Sequence, residues 1–294
     1  MQPKDTFFSR KLTINCRGEL IDLSKPRIMG ILNATPDSFY DGGKHSSAEY
    51  IQNHVEKMIA EGCDILDIGA YSSRPGAAEV SVDEELKRLD YVLKIVREKF
   101  SELVISVDTF RAEVAKKAVQ DYQVDIINDI SAGGLDATMF ETVAELSVPY
   151  IMMHMKGVPR TMQKDPYYDN VVKEVIKFFS QKLEKLKLMG IHDVILDPGF
   201  GFGKNVDHNF QLLKYLDDFK VFEIPLLIGV SRKRMINRVL GTSPETALNG
   251  TTIINTIALL NGANILRVHD VKEAKEAVKL IAKYKETKVD NWHE

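Results

Sequence analysis

At 294 residues, with 44% hydrophobic content and a formal net charge of −3, the chain can bury a large core and carries no basic excess. That length suits either two domains or one large α/β barrel, and the charge gives no general electrostatic case for nucleic acid or an anionic membrane as partner. Cys16 and Cys63 are too few for a disulfide framework, which fits a reducing cytoplasm.

The opening MQPKDTFFSRK lacks the apolar core of a secretory signal. LTINCRGELIDL (12–23) reads as a β-hairpin turning near Arg17 and Gly18, placed to plug the bottom of a barrel. Short apolar runs then recur: RIMGILN (27–33), DILDIGA (64–70), LVISVDT (103–109) and DIINDIS (125–131). They continue as YIMMHM (150–155), VILDPGFG (194–201), LLIGVS (226–231) and NILRVHD (264–270). Most are rich in Ile, Val and Leu without strict alternation, as parallel strands covered on both faces are. Amphipathic stretches such as AEYIQNHVEKMIAEG (48–62) and DVKEAKEAVKLIAKYKE (270–286) separate them. Strand alternating with helix predicts a parallel sheet with right-handed crossovers. About eight such units in roughly 250 residues predict an α/β fold, the (β/α)8 TIM barrel, as a single domain over residues 1–294. The late segment TTIINTIALLNGANIL is interrupted by Asn and Gly and too short to span a bilayer, so a soluble cytoplasmic protein is expected.

Each run ends at or near a polar residue: Asn33, Asp67, Asp108, Asn128, His154, Asp197, Ser231, and Arg267 with His269. One such residue would only start a loop or cap a helix. Several carboxylates among apolar neighbours are costly unless something pairs with them, and barrel strand ends meet at one mouth, where barrel enzymes hold substrate. Asp108, Asn128 and Asp197 are mainly acceptors, suited to a flat heterocycle with amino and ring N–H donors. Lys233, in the run Ser231-Arg232-Lys233-Arg234, is placed to bond a ring carbonyl. Arg267 and His269, two apart on a strand, share a face and suit an anion such as phosphate. His154 reads equally as structural or functional.

The segment DPGFGFGK (197–204) is not a Walker A loop, because Pro198 replaces its first Gly and Asn205 its Ser/Thr. Its glycines let backbone approach a ligand, and Phe202 offers an aromatic wall. Two long loops, 33–47 and 71–81, are lid candidates.

The ordered set NATPDSFYDGG, DIGAYSSRPGA, SVDTF, INDIS, MHMKG, LDPGFGFGK, GVSRK and RVHD resembles the dihydropteroate synthase family over nearly the whole chain. The resemblance implies condensation of 6-hydroxymethyl-7,8-dihydropterin pyrophosphate with p-aminobenzoate, requiring Mg2+, in a homodimer. Matched residue by residue, it implies that Asp108, Asn128, Met153, Asp197, Phe202 and Lys233 bind pterin. Asn33 would hold the metal and pyrophosphate, with Arg74, Arg267 and His269 on the anion, while Asp41 faces the reacting methylene. Phe39, Ser73 and Pro75 would form the p-aminobenzoate pocket with Phe202 and Lys233. Asp67 also matches a family position, with a role in orienting these groups. Asp41, Lys233, Arg267 and His269 are thereby the expected catalytic residues. Tyr71-Ser72-Ser73 departs from the family's Glu-Ser-Thr, and Ala34 replaces the commoner Val. A methyltetrahydrofolate-dependent corrinoid methyltransferase and a non-catalytic pterin-binding module are the alternatives. The Asn33–Gly43 loop, Arg74-Pro75 and Lys233 favour the synthase over the first, and intact anion residues favour it over the second.

Overall fold

The computed structural model describes residues 12–34, 47–71, 80–158, 162 and 166–287. It begins with an antiparallel hairpin, β1 (Thr13–Cys16) and β2 (Glu19–Asp22). Arg17 and Gly18 both take positive φ, 51° and 89°, as a two-residue hairpin turn with right-handed twist requires. Eight further strands follow: β3 (Arg27–Asn33), β4 (Ile65–Gly69), β5 (Val104–Asp108), β6 (Ile126–Asp129), β7 (Tyr150–Met153), β8 (Val194–Asp197), β9 (Leu227–Ile228) and β10 (Ile265–Val268). They form one parallel sheet in the order β8-β7-β6-β5-β4-β3-β10-β9. The circle closes where Leu196 bridges Leu226 in parallel and Leu196 N donates to Pro225 O at 2.9 Å.

Helices α1 (Ser47–Glu61), α2 (Val82–Lys99), α3 (Ala112–Tyr122), α4 (Met139–Leu146), α5 (Val171–Leu188), α6 (Val206–Lys214), α7 (Arg234–Leu240), α8 (Leu248–Leu260) and α9 (Val271–Glu286) cover the outside. Their starts are chemically marked. Ser81 accepts from Glu84 N ahead of α2, and Asn170 accepts from Lys173 N ahead of α5, each satisfying an amide the helix itself cannot. None of the described helices is long and apolar enough to cross a membrane.

Side chains alternate across every strand, which splits the core in two. Ile28, Leu66, Ile105, Ile127, Met152, Leu196 and Leu266 face outward and pack with the helices. Met29, Ile65, Ile126, Ile151, Ile195, Leu227 and Ile265 face inward as one layer, joined there by Ile14, Cys16 and Leu23 of the hairpin segment. The hairpin thus closes the bottom, as expected from the sequence. It is tied down by Arg17 Nε to Asp125 Oδ1 at 2.6 Å and by Asn264 Nδ2 to Leu23 O at 2.8 Å.

One strand differs from its sequence reading. The run 226–231 keeps only Leu227–Ile228 as strand. A side chain at Gly229 would meet Arg267 Cβ and Lys233 Nζ at about 4 Å, so this edge leaves interior space to two cations.

Candidate active site

Inward alternation continues above the apolar layer, and there the residues turn polar. Asp67 (β4), Asn128 (β6), Asp197 (β8) and Arg267 (β10) stand two positions above their strands' inward isoleucines, with Asp108 ending β5. The parallel register sets Asp108 opposite both Gly69 and Asn128. Residues far apart in sequence are thereby assembled at one mouth.

Asp67 is the hub. Fully buried, it accepts from Arg267 Nε at 2.6 Å and from Asn128 Nδ2 at 3.2 and 3.3 Å. Because a carboxylate only accepts, this contact orients the Asn128 amide with Nδ2 toward Asp67, which leaves Oδ1 as acceptor for a ligand. Arg267 reaches on through Nη2 to Asp108 Oδ2 at 2.8 Å. The arginine expected at an anion site is therefore also the tie between two carboxylates, and its Nη1 is engaged by none of the described residues. Burial lowers the Arg267 pKa, but Asp67 and Asp108 outweigh it and hold the guanidinium above its ordinary range. Burial pushes Asp108 up to about 7, with Arg267 opposing and Asp67 adding to the rise.

Across the mouth, Asp197 Oδ1 accepts from Gly199 N at 2.7 Å. Burial raises its pKa and Lys233 opposes that rise. The basic run after β9 divides. Arg232 turns outward, with Nε and Nη2 on Asp270 at 2.9 and 2.7 Å. Arg234 is exposed. Lys233 turns to the mouth, its Nζ 2.5 Å from Phe200 O and 4.7 Å from the Phe202 ring centroid. Burial draws its pKa down to about 8, against the pull of Asp197. Met153 ends β7 and is buried.

His269 lies one residue past β10. Ser231 Oγ accepts from His269 N at 3.2 Å and sits 3.0 Å from Nδ1, within hydrogen-bond reach of the ring. Asn33 ends β3 and is exposed. Among the described residues no three His, Cys, Asp or Glu converge on a metal site. An oxygen donor at Asn33 fits Mg2+ that arrives with phosphate oxygens and keeps its waters, since this ion seldom uses an all-protein cage.

Phe39, Asp41, Ser73, Arg74 and Pro75 lie outside the described residues. Tyr71 is described, and its ring meets Phe110 edge-on at 5.1 Å with the Arg111 guanidinium 5.5 Å away. Arg111 also bonds Val80 O at 2.7 Å and buried Glu85 at 2.5 Å, tying the two flanks of the second loop together. His154 proves buried, its Nδ1 2.9 Å from Lys204 Nζ. Lys204, given no role from sequence, is almost fully buried. The signal for it was a cation inside an otherwise Gly/Phe run.

A family model described as pterin binding enzyme matches residues 29–269. A dihydropteroate synthase of Escherichia coli is 45% identical over 267 residues, covering 90% of this chain and 94% of that protein. Among solved structures, a Yersinia pestis dihydropteroate synthase in complex with a sulfonamide drug superposes with TM-score 0.87 at 41% identity, covering 94% of this chain and 100% of that one. A Xanthomonas albilineans dihydropteroate synthase in complex with 7,8-dihydropteroate gives TM-score 0.83 at 36% identity, with the same coverages.

Proposed function

The chain belongs to the pterin-binding enzyme family, and from that membership and the mouth's geometry we infer dihydropteroate synthesis. It is a transferase of folate synthesis that joins 6-hydroxymethyl-7,8-dihydropterin pyrophosphate to p-aminobenzoate, releasing pyrophosphate. One observation carries the reading: acceptors for a donor-rich ring and cations for an anion share a single mouth, linked through Arg267.

In this reading the pterin's amino and ring N–H groups donate to Asp108, Asn128 and Asp197, and Lys233 donates to its ring carbonyl. Met153 and Phe202 flank the ring. Arg267 and His269 bind the pyrophosphate with Arg74, and Asn33 holds Mg2+, which neutralises charge on the leaving group when bound. An aryl amine is uncharged and nucleophilic at neutral pH, so it needs no strong base. The hard event is carbon–oxygen cleavage, helped by the cations as negative charge builds on pyrophosphate. The methylene left behind is cationic and delocalised into the pterin. Cleavage before attack makes the substitution dissociative: the amine nitrogen then bonds to this carbon and loses a proton to solvent, and Asp41 is assigned to face the cation.

Phe39, Ser73 and Pro75 complete the p-aminobenzoate pocket with Phe202 and Lys233. Ser73 lacks the methyl of the family's Thr, so slightly looser contacts to p-aminobenzoate are expected from the sequence. Sulfonamides are expected to occupy this pocket, given the drug complex of the Yersinia relative. A cytoplasmic homodimer completes the reading. Exposed Ile253, Ile257 and Leu260 on α8 supply its apolar contact.

The test is incubation with both substrates while pyrophosphate is assayed. Release that requires p-aminobenzoate is expected. A corrinoid methyltransferase would release none, and a pterin-binding module would bind pterin without turnover.

A further inference from the structure

Lys204 lies between two loops, and its amine makes no direct ion pair among the described residues, the Asp197 carboxylate pulling on it only from a distance. It is 2% exposed, where a lysine is almost never found without a charged partner. Main-chain oxygens and an imidazole take the partner's place. Nζ stands 2.9 Å from Gly199 O, 3.0 Å from Phe202 O, 3.3 Å from His154 O and 2.9 Å from His154 Nδ1. Two of these acceptors belong to the loop after β8, and the other two to the residue just past β7. Burial, then the nearby amine, push His154 down to about 2, so its ring is neutral and Nδ1 is free to accept. The same loop is pressed against β7's end from its other side: Gly199 has φ +70°, and a Cβ there would stand 1.9 Å from His154 O.

The fastened loop is the seat of Lys233. Phe200 O, between the two clamped carbonyls, accepts from Lys233 Nζ, and the Phe202 ring lies beneath that ammonium. We propose that Lys204 is a positioning residue: its buried amine fixes the loop after β8 to the end of β7 and so sets Phe200 and Phe202 where they hold Lys233. This rests on the active-site reading given above. Loss of the clamp frees Lys233 and Phe202, which are assigned to both the pterin and the aromatic amine. Asp108 and Asn128, held from β4 and β10, keep their places.

Lys204→Met retains the stem and removes the donors. Because Lys233 and Phe202 are assigned to both substrates, the KM for p-aminobenzoate is expected to rise about tenfold and pterin affinity by calorimetry to fall by a similar factor. Affinity for inorganic pyrophosphate, held by Arg267 and His269, should change less than about threefold. A variant that melts earlier yet keeps the wild-type KM for p-aminobenzoate would show packing alone and overturn the proposal. An equal loss of affinity for inorganic pyrophosphate would mean that the whole mouth had collapsed, and would overturn it too. Should Lys204→Met not fold, His154→Leu decides. It deletes one acceptor and leaves three, so the same KM should rise about threefold, and an unchanged KM sinks the idea. Wild-type protein inactive with both substrates would remove the activity reading itself, and this inference with it.

Discussion

Asp67 shows how one side chain can serve a site without facing its ligand. Its two oxygens hold Arg267 and Asn128, and a fully buried carboxylate with such partners has little reason to leave them. Asp197 is different, because Gly199 N occupies only one of its oxygens. Asp197→Asn keeps the shape but replaces an acceptor by a donor amide, losing roughly 1.5–3 kcal/mol for a bond to a charged group. Pterin affinity should fall about tenfold to a hundredfold by calorimetry, and unchanged affinity would remove Asp197 from the site. Two neighbours give a pH signature. Binding needs Asp108 ionised to accept and Lys233 protonated to donate. Asp108 sits near 7, raised by burial, and Lys233 near 8, lowered by burial. Acidification through the first value protonates Asp108, and alkalinisation through the second discharges Lys233. Pterin association should therefore peak between the two and decline up to about tenfold per pH unit on either side. A constant that stays flat across this range in calorimetry would contradict these assignments.

At the scale of elements, the hairpin and the barrel mouth are separable. Leu23 is fully buried in the inward apolar layer with Ile14, Met29 and Ile265, at the end opposite the polar residues. Leu23→Ala should cost about 2–5 kcal/mol of stability in urea titration, because the cavity adds to the lost transfer energy. Both KM values should stay near wild type, since Leu23 joins this layer from the hairpin end, opposite the mouth. If Leu23→Ala shifted either KM severalfold without loss of stability, the hairpin would have a role beyond closing the barrel.

For the whole molecule, α8 is the informative element. Its buried face, with Ile254, Ala258 and Leu259, packs on the barrel, yet Ile253, Ile257 and Leu260 are 49%, 36% and 44% exposed. Positions spaced by four and three residues form one stripe on a helix. A second copy of the chain is the occupant proposed for it. The protein is expected to sediment as a dimer at micromolar concentration, and Ile253→Glu should shift it to monomer by placing a charge in the contact. A wild-type monomer at that concentration would end the proposal for this face.

The barrel was legible in the residues because its causes are local. Strands buried on both faces need unbroken Ile, Val and Leu, helices need an apolar stripe, and a turn needs residues that tolerate positive φ. The strand-end polar residues were legible too, because alternation and chain order place them at one rim. Which of them touch was not. Arg267 meets Asp67 and Asp108 across 200 and 159 positions of sequence, a contact that exists only once β3 pairs with β10 and the barrel closes. The same holds for Lys204, which in sequence ends a glycine-rich loop and in the structure is buried against His154, 50 positions earlier. Composition and period determined the architecture and the inventory of charges. Register and closure decided the partners, because the energy of a buried charge depends on what stands within about 3 Å of it, and no single segment contains that information.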